Sequence, residues 1–248
     1  MDRQHGVYGK TLIMGDGERL AFEQMLVHNL KAPVTGIMAS LEMLRDGDFG
    51  GLTEQQRAAL GTMQSQGEEL VRMIDELLEL GRTQSVSFQV QKVPVDPKEF
   101  LDEVRAAWSS RLKRLTSVVS PDVPDALADA SVLRRVFDNL LMNSSIHAGT
   151  HASVILQADQ SGDFVRFSVA DDGPGVPASE ADRIFDPFVT LGPKQSRRTH
   201  GLGLAYCRAA LAAMGGTITL APSSSGAMFI VQVPAAVVLT RQALEQDQ

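Results

Sequence analysis

One histidine near the start of the chain has neighbours that suit it to nucleophilic chemistry. His28 follows Val27 in a stretch with helical periodicity, and Pro33 lies five residues further along. A proline inside a helix removes a backbone donor and costs about 3 kcal/mol, so this one predicts a local bend. An exposed imidazole beside that bend could attack a phosphoryl group. The simpler interpretation is a solvated surface histidine without a role.

Two asparagines in the second half of the chain form the next candidate set. Asn139 and Asn143 are four residues apart, so a helix would place them on one face, which His147 continues. An amide oxygen suits a hard cation such as Mg²⁺. Alone, the pattern is equally well explained as a solvated polar stripe.

Two glycine-rich turns complete the candidates. The segment Asp171-Asp-Gly-Pro-Gly175 follows an apolar stretch. A carboxylate there could accept a hydrogen bond from an exocyclic amine, and the glycines would allow a ligand to approach the backbone closely. Gly201-Leu-Gly-Leu204 precedes an alanine-rich segment, and amides at the start of a helix suit phosphate binding. Taken singly, an ordinary turn and close helix packing are the simpler explanations.

Two predicted helices must position His28. Apolar residues recur at steps of three and four from about Glu18 to Leu44, residues 46–51 break the helix, and Thr53 opens a second helix that ends at Gly81. The apolar seams are Val27, Leu30, Val34, Ile37, Leu41 and Leu44, then Leu60, Met63, Gly67, Leu70, Ile74 and Leu77. Two copies of such a hairpin can bury both seams in a four-helix bundle, which predicts a homodimer. The alternative is a hairpin packed on the second half of the same chain.

The second half predicts an α+β sandwich. A composition change over residues 84–97 marks the domain boundary and includes a strand-like run at residues 86–93. The further predicted helices are 97–114, 131–147 and 201–214, and the predicted strands are 153–158, 164–170, 217–221 and 227–233. The predicted domains are a lead-in over 1–16, a dimerisation and phosphotransfer domain over 17–83, a catalytic domain over 84–236, and a tail over 237–248.

Composition excludes several classes of function. The 248 residues carry a net charge of −7, which argues against a nucleic-acid partner. No apolar run is long enough for a membrane segment, and the polar start lacks the apolar core of a signal peptide, so a cytoplasmic location is expected. Cys207 is the one cysteine, which excludes a disulfide or a cysteine metal site within one chain.

In order and spacing, these motifs together resemble those of sensor histidine kinases of two-component systems. The matching segments are His28–Pro33 for the phosphoacceptor motif, Asn143 for the N-box, Asp171–Gly175 and Gly201–Leu204 for the glycine boxes, and Ile184–Phe188 for the F-box. The resemblance covers about residues 18–234. It implies an α-helical hairpin forming a dimeric four-helix bundle, followed by an α+β Bergerat-type ATP-binding sandwich.

The resemblance also implies a function and a set of roles. The chain would be an ATP-dependent protein-histidine autokinase that phosphorylates His28 and passes the phosphoryl group to an aspartate of a response regulator receiver domain. Its cofactors would be ATP and Mg²⁺, with Asn143 as the metal ligand and Asp171 as the acceptor for the adenine amino group. The other implied ATP-binding residues are Asn139, His147, Gly173, Gly175, Phe188, Gly201, Leu202, Gly203 and Leu204.

Four positions depart from the family pattern, and one of them is Thr199, which stands where the second glycine box has its first glycine. Asn29 replaces the acidic residue after the histidine, so it can orient the imidazole but cannot accept its proton at neutral pH. Ala32 replaces a polar residue of the phosphatase activity, so weak phosphatase activity is expected. Ile146 replaces the N-box cation, and Arg197 or Arg198 could supply the missing charge to the phosphates. The alternative for the two arginines is a solvated basic run.

The departures keep a second function open, namely a degenerate kinase that serves as a dimeric scaffold or phosphotransfer module. A Bergerat-fold ATPase or an anti-sigma-type serine kinase would lack the histidine-bearing hairpin. A coiled-coil adaptor would leave the second half of the chain unexplained.

Overall fold

The chain forms two compact units, Met1–Phe88 and Gln89–Gln248, named here the helical unit and the sheet unit. The computed structural model describes residues 16–48, 50–83, 88–149, 151–191, 200–223 and 225–236, and for residues 16–30 and 79 the backbone alone. The predicted lead-in, apart from Asp16, and the predicted tail over 237–248 lie outside the described residues. None of the helices that the structure describes has the length and apolarity of a bilayer span.

Two helices make up the described part of the helical unit. α1 spans Asp16–Asp46 and continues through Pro33, and α2 spans Glu54–Thr83, which confirms the two predicted helices. The predicted capping box at the start of α2 is also confirmed. The Thr53 amide donates to Gln56 Oε1 at 2.9 Å, and the Gln56 amide donates to Thr53 Oγ1 at 3.2 Å.

Contacts between α1 and α2 set their antiparallel register. Lys31 Nζ lies 2.7 Å from Asp75 Oδ1, with both side chains over 40% exposed. Surface ion pairs of this kind contribute at most about 1 kcal/mol. Closer to the middle, Gly67 faces Met38, and a Cβ at Gly67 would overlap the methionine sulfur. The small residue therefore lets the helices approach, and apolar packing dominates the pairing.

Part of the apolar seam stays exposed in the single chain. Ile37 on α1 and Met63, Leu70 and Leu77 on α2 have between 38% and 60% of their surface accessible. The three α2 residues are seven apart, so they form one stripe along the helix. A contiguous stripe of large, exposed apolar side chains is typical of an interaction surface, whereas apolar residues scattered singly over a surface need no such explanation.

A five-stranded sheet forms one layer of the sheet unit. Its strands are β2 Arg114–Val119, β4 Ser153–Ser161, β5 Phe164–Asp171, β6 Thr217–Ala221 and β7 Met228–Pro234. They lie in the order β2-β4-β5-β7-β6, with β2 parallel to β4 and every other pair antiparallel. A separate antiparallel pair joins β1, Val93–Val95, to β3, Ala126–Ala128.

Three helices form the second layer of the sheet unit and bury one face of the sheet. They are α3 Pro97–Trp108, α4 Ala130–His147 and α5 Gly203–Met214. Strand residues alternate between buried and accessible, as expected when only one face is covered. At the centre, the rings of Phe100, Phe137 and Phe167 pack edge to face with centroids 5.0 to 6.0 Å apart. The predicted α+β sandwich is confirmed.

Some predicted boundaries were wrong. The predicted helix over residues 97–114 ends at Trp108, because the chain turns there and continues as β2. Neither β2 nor β3 was predicted. In the predicted strand over 86–93, residues 88–92 are not in a strand, and β1 begins only at Val93. β1 runs across Pro94, which is tolerated because a two-stranded ribbon leaves one edge of each strand unpaired.

Candidate functional site

A cavity of about 300 Å³ opens in the sheet unit where α4, β5, β7 and the start of α5 meet. Its polar side chains are Asn143, His147, Asp171 and Thr190. Glycine and apolar residues make up the rest of the wall, namely Pro174, Gly175, Val176, Pro177, Ile184, Val189, Leu191, Gly201, Gly203, Leu204, Ala227 and Phe229. A mostly apolar cavity with a few polar groups is typical of a small-molecule site.

Helix α4 presents the first polar groups of the cavity. Its N-cap is Asp129, whose Oδ1 accepts from the amides of Ser131 at 3.1 Å and Val132 at 3.2 Å. Burial raises the pKa of Asp129, but hydrogen bonds from Ser131, Gln91 and Val132 outweigh this, and the net pKa lies below its ordinary value. The Asp129 carboxylate therefore stays charged. It fixes the start of α4, the helix that carries Asn143 and His147 to the cavity.

The carboxylate of Asp171 is held by donors from three parts of the fold. Its Oδ2 accepts from Ser144 Oγ of α4 at 2.9 Å, and its Oδ1 accepts from the amides of Gly173 at 3.0 Å and Ala227 at 3.2 Å. A carboxylate has about four acceptor positions, so roughly one remains for a ligand. Ser144 is buried, so its hydroxyl cannot turn to water instead. Asp171 is therefore an oriented hydrogen-bond acceptor in an apolar wall.

Glycines let the backbone pack tightly behind Asp171. Gly175 has φ +73°, and a Cβ there would lie 2.7 Å from the carbonyl oxygen of Gly226. Gly226 itself has φ +70°, and a Cβ there would overlap the carbonyl oxygen of Asp171. Both glycines are thus required by conformation and by space. Gly175 lines the cavity, and Gly226 packs against the backbone of Asp171 at the end of β5.

The second glycine turn lies at the start of α5. Gly201 has φ +68° and packs against the backbone of Val189, and its carbonyl accepts from the amide of Phe188 at 3.0 Å. A Cβ at Gly203 would lie 2.9 Å from Asn139 Oδ1. α5 begins at Gly203, and its N-cap residue Leu202 provides no side-chain cap, so the structure shows no side-chain cap for the first amides among the described residues. Amides at the start of a helix suit the binding of an anion.

Seven of the predicted residues line the cavity together. They are Asn143, His147, Asp171, Gly175, Gly201, Gly203 and Leu204.

Four others do not line it. Asn139 donates to the carbonyl of Arg135 at 3.1 Å, and Leu202 is buried in the core. Gly173 packs under Ala148. Phe188 is 60% exposed with φ 65°.

The remaining predicted residues belong elsewhere. Arg197 and Arg198 lie outside the described residues. His28 and Asn29 lie on α1 in the helical unit, where the structure describes their backbone alone.

Sequence reasoning missed most of the apolar wall and one polar residue. Val189, Thr190 and Leu191 follow the F-box directly, whereas Ala227 lies just before β7 and Phe229 lies within it. Their position beside recognised motifs was a usable signal. Their inward orientation was not, because it depends on the turn at Gly201 and on the register of β7 with β5.

The arrangement suits a ligand with an amine at one end and negative charge at the other. Asp171 offers an acceptor within apolar walls, which fits the exocyclic amine of a flat base. The uncapped start of α5 offers amide donors to an anion, and Asn143 offers an amide oxygen. Among the described residues there is no cluster of three or more His, Cys, Asp or Glu side chains that could hold a metal ion.

Two family models match the chain. Residues 18–86 match the His Kinase A (phospho-acceptor) domain. Residues 128–237 match the histidine kinase-, DNA gyrase B-, and HSP90-like ATPase.

Individual proteins are also similar to the chain. The alginate biosynthesis sensor protein KinB of Pseudomonas aeruginosa is 29% identical over 91% of this chain and 40% of KinB. Sensor histidine kinase RcsC of Escherichia coli (strain K12) is 29% identical over 84% of this chain and 22% of RcsC. The chain therefore spans less than half the length of these relatives. A crystal structure of full-length ShkA in complex with AMPPNP has 30% identity and a TM-score of 0.72, covering 88% of this chain and 46% of ShkA.

Proposed function

Because the chain belongs to the sensor histidine kinase family of two-component systems, we propose that it is an ATP-dependent kinase that phosphorylates its own His28. The observation that carries this proposal is the oriented carboxylate of Asp171 in the cavity of the sheet unit. In the proposal, its remaining acceptor position takes the adenine amino group, and the apolar walls cover the faces of the ring. The AMPPNP complex of the similar protein ShkA supports a nucleotide ligand.

The phosphates of the nucleotide would lie at the start of α5. The amides of Gly203 and Leu204 belong to the uncapped first turn, where the helix dipole favours negative charge. Asn143 lines the same cavity and would hold Mg²⁺ through its amide oxygen, with phosphate oxygens and waters as the other ligands. That donor set fits a metal that arrives with its substrate. When bound, Mg²⁺ neutralises charge on the transferring phosphoryl group.

In the proposed reaction, the γ-phosphoryl group of ATP is transferred to His28 of the helical unit. A nitrogen of the His28 imidazole attacks the γ-phosphorus while the bond from that phosphorus to the β–γ bridging oxygen breaks, and ADP leaves. The imidazole then releases the proton of its other nitrogen. Asn29 can orient the ring by a hydrogen bond but cannot accept that proton, so we expect slower transfer than with an acidic residue. The role of Arg197 or Arg198 in holding the phosphates stays a prediction, tested by changing both to alanine.

We further propose that the helical unit forms a homodimer. The stripe of Met63, Leu70 and Leu77, together with Ile37, supports a four-helix bundle because these side chains stay exposed in one chain. Leu70→Glu should raise the monomer fraction in sedimentation equilibrium, because a charge would replace a buried contact. Ala58→Glu is the matched control, since Ala58 is exposed on α2 but off the stripe. Equal sedimentation of both variants and the parent chain would contradict this interface.

The proposed partner after autophosphorylation is a response regulator receiver domain. Its aspartate would take the phosphoryl group from His28, which regenerates the imidazole. Family membership supports this step, and it is tested by mixing the labelled chain with purified receiver domains. The cytoplasmic location expected from the sequence stays a prediction.

The first experiment is labelling with γ-³²P ATP and Mg²⁺. The parent chain should acquire acid-labile, base-stable label, His28→Ala should acquire none, and the exposed His151→Ala should label like the parent. Asn29→Asp should label faster if the missing base limits the rate. Label that persists in His28→Ala would refute the assignment of the acceptor. Nucleotide binding without any label would favour the second candidate, a degenerate kinase that acts as a scaffold, which Asn29 specifically suggests.

A further inference from the structure

Thr190 carries a buried hydroxyl that has no hydrogen-bond partner among the described residues. Most buried polar groups in native proteins are paired, so an unpaired one calls for an explanation. An unpaired hydroxyl also destabilises the protein that contains it. Its persistence here is explained if the partner is a ligand.

The position of Thr190 identifies the part of the cavity that it serves. Thr190 is one of the residues that line the cavity. The preceding Val189 packs its backbone nitrogen 2.7 Å from where a Cβ of Gly201 would lie, so Thr190 adjoins the turn that leads into α5. Rotation about the Cα–Cβ bond moves the hydroxyl between staggered positions without any backbone movement.

We propose that the Thr190 hydroxyl donates a hydrogen bond to the phosphate chain of the bound nucleotide. The proposal rests on the proposed nucleotide-binding function and adds a residue to its phosphate end. The base end already has its polar group in Asp171, which is held among α4, β5 and β7. At the phosphate end, Ile146 occupies the N-box position expected to hold a cation and offers no donor. A hydroxyl beside the start of α5 supplies one, and a bond to an ionised oxygen is stronger than a neutral one.

Thr190→Val tests the proposal, because valine keeps the shape and removes the hydroxyl. We expect the Kd for ADP, measured by calorimetry, to rise about tenfold, as expected for loss of a bond to a charged group. The Kd for adenosine, measured by competition, should change by less than about twofold, because adenosine has no phosphate. Thr190→Ser should bind ADP like the parent. Thr219→Val, the same exchange at an exposed position of β6, is the control.

The outcomes separate this proposal from the proposed function. If the parent chain fails to bind ADP, the proposed function is wrong. If the parent binds and Thr190→Val binds ADP equally well, only the role of Thr190 is wrong. Equal weakening of adenosine and ADP would overturn the phosphate assignment. Thermal unfolding without nucleotide gives a further test: the valine variant should be at least as stable as the parent, and a clear loss would mean that the hydroxyl already has a protein partner.

Discussion

Replacing Asp171 by asparagine should separate base recognition from folding. The change keeps the size of the side chain and its Oδ1, which can still accept from the amides of Gly173 and Ala227. The new amide group can donate to Ser144 Oγ, whose own hydrogen can turn to a carbonyl of the helix. The protein loses only the charge assistance of these bonds, so we expect the free energy of unfolding to fall by about 1–2 kcal/mol.

The effect on the nucleotide should be larger. The remaining acceptor position becomes a donor, and it would face the donating amino group of adenine. Loss of a bond to a charged group together with an unpaired amine costs about 3 kcal/mol, which corresponds to a Kd on the order of a hundredfold higher. A base with a carbonyl in place of the amine accepts from the new amide. The variant should therefore bind IDP better than ADP, whereas the parent should prefer ADP.

Calorimetry with ADP and IDP on the parent chain and the variant checks this reasoning. Asp172→Asn is the matched control, because the neighbouring carboxylate accepts from the Ser153 amide at 2.8 Å and does not line the cavity. A folded Asp171→Asn variant with parent affinity for ADP would refute base recognition by this residue. Equal weakening in both variants would mean that general charge, not the oriented acceptor, sets the affinity.

Three further predictions, two on pairs of glycine substitutions and one on the labelling of a thiol, test the packing. Gly226→Ala should lower the free energy of unfolding severely, because its Cβ would overlap a backbone carbonyl of β5, whereas Gly162→Ala, with φ +62° and open space, should lose about 1–2 kcal/mol in chemical denaturation. Gly61→Ala on α2 should gain about 1 kcal/mol of helix propensity, and Gly67→Ala should gain less because a methionine of α1 must move. The thiol of Cys207 is fully buried, and burial raises its pKa, so iodoacetamide at pH 8 should label it only after denaturation. Similar stability for the two variants of either glycine pair, or rapid labelling of the native chain, would contradict these interpretations.

The parts of the fold that were predictable from the sequence are those with local signals. The period of the apolar residues and the capping box at Thr53 located both helices of the hairpin. By contrast, β2 is parallel to β4 and pairs with a strand more than thirty residues away, so no turn signal announces it. The predicted helix over residues 97–114 overlaps β2 only at Arg114, and residues 115–119 were given no predicted element. Pairing over long sequence separation is decided by packing, which a local pattern does not contain.

The same distinction applies to the site. Asp171 and Asn143 were predictable because they belong to motifs with fixed spacing. The donors that orient Asp171 were not, since Ser144 and Ala227 come from elements that meet only in the folded unit. Thr190 adjoins the F-box, but it belongs to no motif of fixed spacing, and its significance depends on a hydroxyl without a partner among the described residues, which only a structure can reveal.

The donors that hold Asp171 also decide which experiment can test kinase activity. Each of the three described donors comes from the sheet unit, so hydrogen bonds within that unit orient the Asp171 carboxylate. Nucleotide affinity should therefore be the same for the parent chain, for His28→Ala and for Asn29→Asp. An active kinase and a degenerate one would then bind ATP equally well, and binding data alone cannot tell them apart. Only transfer to the histidine depends on Asn29, so the labelling rate of Asn29→Asp relative to the parent measures what the missing carboxylate contributes.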